Sequence, residues 1–309
     1  MRGLIILNPS SGMQKVQKVA WETAHKLLSD QTASMINVFY TRGKEDAAEM
    51  ARSVRPGEYD FILVVGGDGT VNEVINGLIL GGSRTPVTIL PAGTTNDFAN
   101  ALNLPRNPED LSRIIKEYRQ VSIDVGQINN HYFLNVAAGG SLPAVAHRVS
   151  TDAKTNFGRL AYILEGAKEI TNLSSTVPLI FECDGEREEM DVLFFIIANS
   201  KSVGGFHSIA PMSKINDGLL DLCVVKRLDA MNVLPLFTQI QRGVHITNTK
   251  FVYYRQAKHI RIFSESPDAV FPMDFDGEQG GMLPAEVSAV PEAVQLIIPS
   301  TERTQEALA

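Results

Sequence analysis

Only two cysteines occur in the 309 residues, Cys183 and Cys223, 40 positions apart. That count excludes a disulfide framework and a four-cysteine metal site; it fits two buried thiols in a reducing compartment. The six histidines are scattered, with no HExxH and no Cys/His cluster, so no zinc centre is expected. Positive charge is also in short supply: 28 Lys and Arg against 35 Asp and Glu leave a formal net charge of -7. Such a balance argues against nucleic acid as a partner. Long apolar runs are missing. The N-terminal Leu4–Leu7 run suits a buried strand and is too short for a signal-peptide core. No segment approaches the ~18 apolar residues of a membrane span.

What remains is an ordinary folding composition, 44% hydrophobic and 20% charged with 24 glycines, in a chain long enough for two cores. Its first part alternates strand and helix patterns. Strands are expected at Gly3–Leu7, Met35–Phe39, Phe61–Val65 and Val87–Leu90, and helices at Val16–Leu28, Lys44–Val54, Val71–Leu80 and Asp110–Tyr118. That rhythm predicts an α/β domain with a parallel sheet covered on both faces. After about Asp124–Gly126 the pattern changes. A hairpin turning at Asn129–Asn130 and helices at Gly158–Ile170 and Met231–Arg242 are expected. Strands dominate the rest, at Val177–Cys183, Val192–Asn199, Leu219–Val225, Thr249–Tyr254, His259–Phe263 and Val294–Ile298. The expected organisation is an α/β domain over 1–124 and a mostly antiparallel β-sandwich domain over 125–299. The tail 300–309 either frays or docks back on the first domain.

Three glycine- and hydroxyl-rich segments follow strands of the first domain. Gly66-Gly67-Asp68-Gly69-Thr70 lies between the clearest strand and a helix. Glycines there permit a sharp turn and let main-chain N–H groups approach phosphate oxygens, and a helix start adds its dipole. The segment is neither a Walker A loop nor a GxGxxG fingerprint. Asn8-Pro9-Ser10-Ser11-Gly12 and Pro91-Ala92-Gly93-Thr94-Thr95-Asn96-Asp97 follow two other strands. Loops after the strands of an open parallel sheet converge on one crevice, where ligands bind.

These three segments, with Asn72-Glu73, Asn216-Asp217-Gly218-Leu219-Leu220-Asp221 and Asp276-Gly277-Glu278, resemble the diacylglycerol kinase catalytic-domain family, and within it the bacterial lipid kinases. The first domain also looks phosphofructokinase- or NAD kinase-like. The resemblance implies an ATP- and Mg²⁺-dependent enzyme with its active site between the two domains, phosphorylating a lipid hydroxyl such as that of diacylglycerol. Gly66, Gly67, Asp68, Gly69 and Thr70 would meet the nucleotide phosphates. Asn8, Glu73, Gly93, Thr94 and Asn96 would frame the pocket, with Ser11 and Thr41 at the ends of neighbouring strands.

Phosphoryl transfer asks for charge neutralisation and placement of the nucleophile. A carboxylate beside phosphates would repel them, so Asp68 is expected to hold Mg²⁺ or to orient its loop; Asp97 and Asp124 are candidates for the same network. The resemblance selects Asp276 as the base that accepts the hydroxyl proton, with Glu278 in support; an Asp-Gly hairpin turn is the plainer reading. It also implies a second, structural Mg²⁺ at Asp217 and Asp221 with the Leu219 carbonyl between them; an ordinary Asn-Asp-Gly turn would look the same.

No acidic residue occurs between Asp229 and Glu265, while Arg242, Lys250, Arg255, Lys258 and Arg261 do. That stretch either faces anionic headgroups or is a solvated sheet face. Gly139-Gly140, Gly204-Gly205-Phe206 and Leu160–Ile170 are expected to line an acyl cleft or to pack in the core. The resulting expectation is a cytoplasmic protein, peripheral at the inner membrane surface, touching lipid transiently, with a homodimer as the common default. Two other functions fit the same residues: an NAD kinase-like enzyme, and a nucleotide-binding regulator without catalysis.

Overall fold

The computed structural model describes residues 1–11, 14–94, 96–129, 131–140, 176–201, 208–266, 271–276, 278–301 and 304. The expected helix at 158–170, the loop at 204–206, Gly12, Thr95, Asn130, Gly277, most of 300–309 and the side chain of Glu278 lie outside the described residues.

Four parallel strands, β1 (Arg2–Leu7), β2 (Met35–Tyr40), β3 (Phe61–Gly66) and β4 (Val87–Pro91), stand in the order β2-β1-β3-β4. All residues of β3 and β4 are buried, as expected of apolar runs covered on both faces. Helix α1 (Gln14–Ser29) buries Ala20, Thr23, Ala24 and Leu27, one stripe at helical spacing. Helix α2 (Asp46–Ser53) crosses α3 (Asp68–Gly81) backbone against backbone. A Cβ on Gly77 would lie 2.3 Å from the Ala48 carbonyl oxygen, so only glycine fits that crossing. A five-residue helix, α4 (Asp97–Ala101), follows the third loop, and α5 (Pro108–Glu117) starts where the Asn107 side chain caps the Asp110 N–H.

The second part is antiparallel. Strands β5 (Gln120–Ile128), β6 (His131–Phe133), β7 (Val136–Gly140), β8 (Val177–Cys183), β9 (Glu186–Ala198) and β10 (Leu220–Lys226) precede helix α6 (Ala230–Gln241). Strands β11 (Val252–Ala257), β12 (His259–Phe263), β13 (Pro272–Phe275), β14 (Glu278–Met282) and β15 (Ala285–Ile297) follow it. The chain is thus an α/β domain joined to a largely β-sandwich domain. The seam is β15, which pairs with β5 and β12 and touches β4 in parallel at Leu296 and Val87. Apolar residues divide along these strands: Ile123, Val125, Val294 and Leu296 enter the first core, and Ile128, Ala285 and Val287 the second. In the second core Phe195 meets Phe181 edge-on and stacks on Phe271. Cys183 and Cys223 are free and buried, and burial pushes their thiols up to about 11 and about 12.

Several boundaries differ from expectation. Residues 249–251 form a turn closed on Asn248, so the strand expected from Thr249 starts at Val252. β15 is 13 residues long, not five, because Pro291 sits in a register shift between Val290 and Val294 where no ladder N–H is needed. Ser300 accepts a hydrogen bond from Arg119, and Thr304 donates to the Leu102 carbonyl, both in the first part of the chain.

Candidate active site

The order β2-β1-β3 sends the chain in opposite directions from β1 and β3, which opens a crevice beyond their carboxyl ends. Asn8 stands there. Its main-chain N–H donates to Val65, its side-chain amide donates to Thr70 Oγ1 at 3.0 Å, and its Oδ1 accepts the Ser10 N–H. The first loop is thereby fastened to the first turn of α3, while Ser11 closes the turn on the Asn8 carbonyl. A cleft of about 260 Å³ opens beside them, lined by Asn8, Ser10, Thr41, Arg42, Lys44, Thr70 and Glu73 among others. Thr41 is buried and donates its N–H to Leu7. Glu73 accepts the Glu45 N–H and so holds the 42–45 loop at the rim.

Helix α3 starts at Asp68 with the extended Gly67 as its N-cap and no side-chain cap. Its first N–H groups and its dipole make that end a seat for anions. Gly67 and Gly93 lie back to back: a Cβ on Gly93 would come within 2.6 Å of the Gly67 Cα. Gly66 is equally constrained, because a Cβ there would meet Thr70 at 2.5 Å. Asn96 takes a left-handed conformation and turns its side chain back, accepting from the Gly93 N–H and donating to the Gly93 carbonyl. It is a strap for the loop, with Thr94 exposed at the tip and Asp97 opening α4.

Asp276 reaches the site from the other domain. Strand β13 stops at Phe275, because Asp276 turns into the left-handed region. Its carboxylate is held by three successive N–H groups of the turn between β6 and β7. Leu134 donates to Oδ2 at 2.7 Å; Asn135 and Val136 donate to Oδ1 at 3.0 and 2.8 Å. Burial pushes the carboxyl up to about 6 against the pull of those donors, and the nearby Asp68 adds to the rise. A carboxylate has about four lone-pair positions, so three N–H donors leave room for one more proton. The site thus brings Asp68 and Asp276 together across the domains.

Asp124 belongs to a second group. It is buried in β5, accepts from Gly218 at 2.6 Å and from Glu292 at 2.8 Å, and ties the 215–218 turn to the irregular stretch of β15. Burial raises Asp217, and Asp124 adds to that rise. Burial pushes Asp221 up to about 6, while the Tyr254 hydroxyl hydrogen-bonded to it pulls the other way. Two neighbouring carboxyls of this kind suit a hard cation completed by carbonyls and water. Among the described residues no three His, Cys, Asp or Glu side chains are grouped to hold a metal by themselves.

Some of the organising residues carry no motif. The side chain of Asn199, fully buried, donates to the carbonyls of Asp124 and Leu134 and so links the two carboxylate groups. Asn76 exchanges hydrogen bonds with the main chain of Tyr132. Arg42 and Lys44 bring the cleft its positive charge.

Comparison with known proteins agrees with this geometry. The family described as "Diacylglycerol kinase catalytic domain" matches residues 2–128, and the "YegS C-terminal NAD kinase beta sandwich-like domain" matches residues 135–298. A diacylglycerol kinase of Bacillus subtilis (strain 168) is 34% identical over 308 residues, 98% of each chain. One of Staphylococcus carnosus (strain TM300) is 30% identical over 99% of this chain and 97% of its own. A crystal structure from Bacillus anthracis str. Sterne superposes with a TM-score of 0.81 at 26% identity over 97% of each chain. A second from that organism, of a diacylglycerol kinase, gives 0.76 at 25% over the same shares.

Proposed function

The chain belongs to the diacylglycerol kinase catalytic-domain family of bacterial lipid kinases, and we propose that it transfers the γ-phosphoryl group of ATP to the free hydroxyl of diacylglycerol, giving phosphatidic acid. The observation that carries this reading is Asp276, held by three main-chain N–H groups beside Asp68 at the start of α3. A base fixed in that way costs little further ordering when an alcohol arrives. In the proposed reaction the hydroxyl oxygen bonds to the γ-phosphorus as the bond to ADP breaks, and the hydroxyl proton passes to Asp276. Gly66–Thr70 and the glycine contact with Gly93 let the loops close on the phosphates. Asn8, Arg42, Lys44 and Thr70 line the cleft beside them.

Bound Mg²⁺ would supply charge neutralisation on the phosphates. Asp68 is the residue at the loop suited to hold it, and Asp97 and Glu278 are secondary candidates. Asp217, the Leu219 carbonyl and Asp221 would hold a separate structural ion that offsets their crowded charge. Asp124 acts by fixing the turn before them. The test uses γ-labelled ATP with mixed micelles holding diacylglycerol, a sphingoid base or phosphatidylglycerol, and NAD in parallel. Label in diacylglycerol supports the proposal; label in NAD alone overturns it.

A further inference from the structure

Helix α6 is apolar on both sides. Val233, Leu236 and Ile240 face inward with Leu193, Val225 and Phe251. A lone surface helix ordinarily turns polar residues outward. Here the outward positions of the first two turns are Met231, 86% exposed, Leu234, 60% exposed, and Pro235, also exposed, and the polar Gln241 is exposed only at the last residue of the helix. None of the residues from Ala230 to Gln241 is charged.

The charge around this face has one sign at one end. Arg242 follows the helix, and Lys250 lies 4.7 Å over the ring of Phe251, which belongs to the cluster beneath it. Both are exposed and neither makes an ion pair among the described residues. Arg255 and Arg261, in contrast, are taken up by Glu186 and by Glu182 and Glu286. At the other end Asp229 precedes the helix and Arg227 pairs with Asp191. No helix among the described residues is long and apolar enough to cross a membrane.

A second feature gives the face a direction. Ile240 and Phe194 also pack on Ile196 and Ala198, where they are joined by Val136 and Ala138, all four flanking residues being only partly buried. Val136 donates its N–H to Asp276. An apolar tract therefore runs over the sheet from the underside of α6 to the turn that holds the carboxylate.

We propose that the outward face of α6, Met231, Leu234 and Pro235 with Arg242 and Lys250 at its end, seats the protein on an anionic lipid surface. An interfacial helix of this kind buries its apolar residues among the acyl chains and sets its cations at the headgroups. Because the total charge is -7, attraction depends on this patch and is lost with added salt. The inference rests on the lipid-kinase reading only for its purpose, and its test separates the two.

The full chain is sedimented with vesicles of phosphatidylcholine, alone or mixed with phosphatidylglycerol, at low and high salt. The double variant Met231→Asp/Leu234→Asp is expected to lose about tenfold or more in binding to the mixed vesicles. Arg242→Glu/Lys250→Glu is expected to abolish the preference for phosphatidylglycerol. Turnover of long-chain diacylglycerol in vesicles should fall in parallel, while turnover of a short-chain, monomeric diacylglycerol stays unchanged and shows that the variants are folded. Unaltered vesicle binding by both variants overturns the inference. So does light scattering that shows a wild-type dimer split by Met231→Asp/Leu234→Asp with vesicle binding intact, which assigns the face to a second copy. Vesicle binding without phosphorylation of any lipid removes the kinase reading and leaves the docking surface standing.

Discussion

Asn76 and Tyr132 exchange two hydrogen bonds across the two domains, the Asn76 side chain donating to the Tyr132 carbonyl at 2.9 Å and accepting its N–H at 3.0 Å. The helix that begins at Asp68 is thus fixed to the strand just before the turn that holds Asp276. Asn76→Ala should cost about 1–3 kcal/mol of stability, since it leaves both Tyr132 groups short of a partner. Turnover should fall more than nucleotide affinity, because the hydrogen bond of Asn8 to Thr70 at the start of α3, the proposed phosphate end, is left in place. Denaturant unfolding and steady-state kinetics check the two parts.

Gly93→Ala puts a methyl group within 2.6 Å of the Gly67 Cα, and backbone on both sides must move. The expected result is a loss of about 1–3 kcal/mol in stability and weaker nucleotide binding, since the loops at β3 and β4 separate. Calorimetric titration with a non-hydrolysable ATP analogue measures it. Unchanged affinity would show that the third loop is not part of the phosphate site.

In the proposed reaction the raised carboxyl of Asp276, at about 6, would set the acid limb of activity. The base works only when ionised, so kcat/KM should fall about tenfold per pH unit below that value. Stability runs the other way. A folded carboxyl that holds its proton more tightly than the unfolded one, at 3.8, stabilises most below the unfolded value and loses that contribution as pH rises through about 6. Rate profiles and thermal unfolding over the same pH range should therefore show opposite slopes.

Asp124→Asn retains one acceptor oxygen where two N–H groups, of Gly218 and Glu292, each have their own. One buried donor is left unmatched, at a cost of about 1–3 kcal/mol. If Asp124 acts only as this strap, the variant loses stability while the folded fraction keeps its nucleotide affinity. A large loss of affinity in a stably folded variant would place Asp124 in the carboxylate and metal network of Asp68 instead.

The parallel sheet and its glycine loops were legible because apolar runs of strand length and glycine turns leave local marks. Phe61–Val65 followed by Gly66-Gly67 reads as a buried strand entering a tight glycine turn with no knowledge of the rest. Asn76 and Asn199 left no such mark, since an asparagine in a helix or at a strand end looks the same whether it meets water or a distant carbonyl. Asp276 was picked out by the family resemblance of Asp276-Gly277-Glu278, since its Asp-Gly pattern alone reads as a hairpin turn; its three donors come from residues 134–136, and only tertiary structure brings that turn to it. The length of β15 was hidden by Pro291, whose place in a register shift is a property of the pairing with β5. The short helix α4 has too few residues for a periodic pattern to emerge.

Transfer of labelled phosphate from ATP to diacylglycerol by the wild-type protein and by Asp276→Asn tests the central claim most directly. The wild type should label diacylglycerol, and the variant should bind nucleotide as before and lose turnover by about 10²–10⁴-fold. A variant that labels diacylglycerol at the wild-type rate would contradict the role given to Asp276, and a wild type that labels no lipid would contradict the proposed function itself.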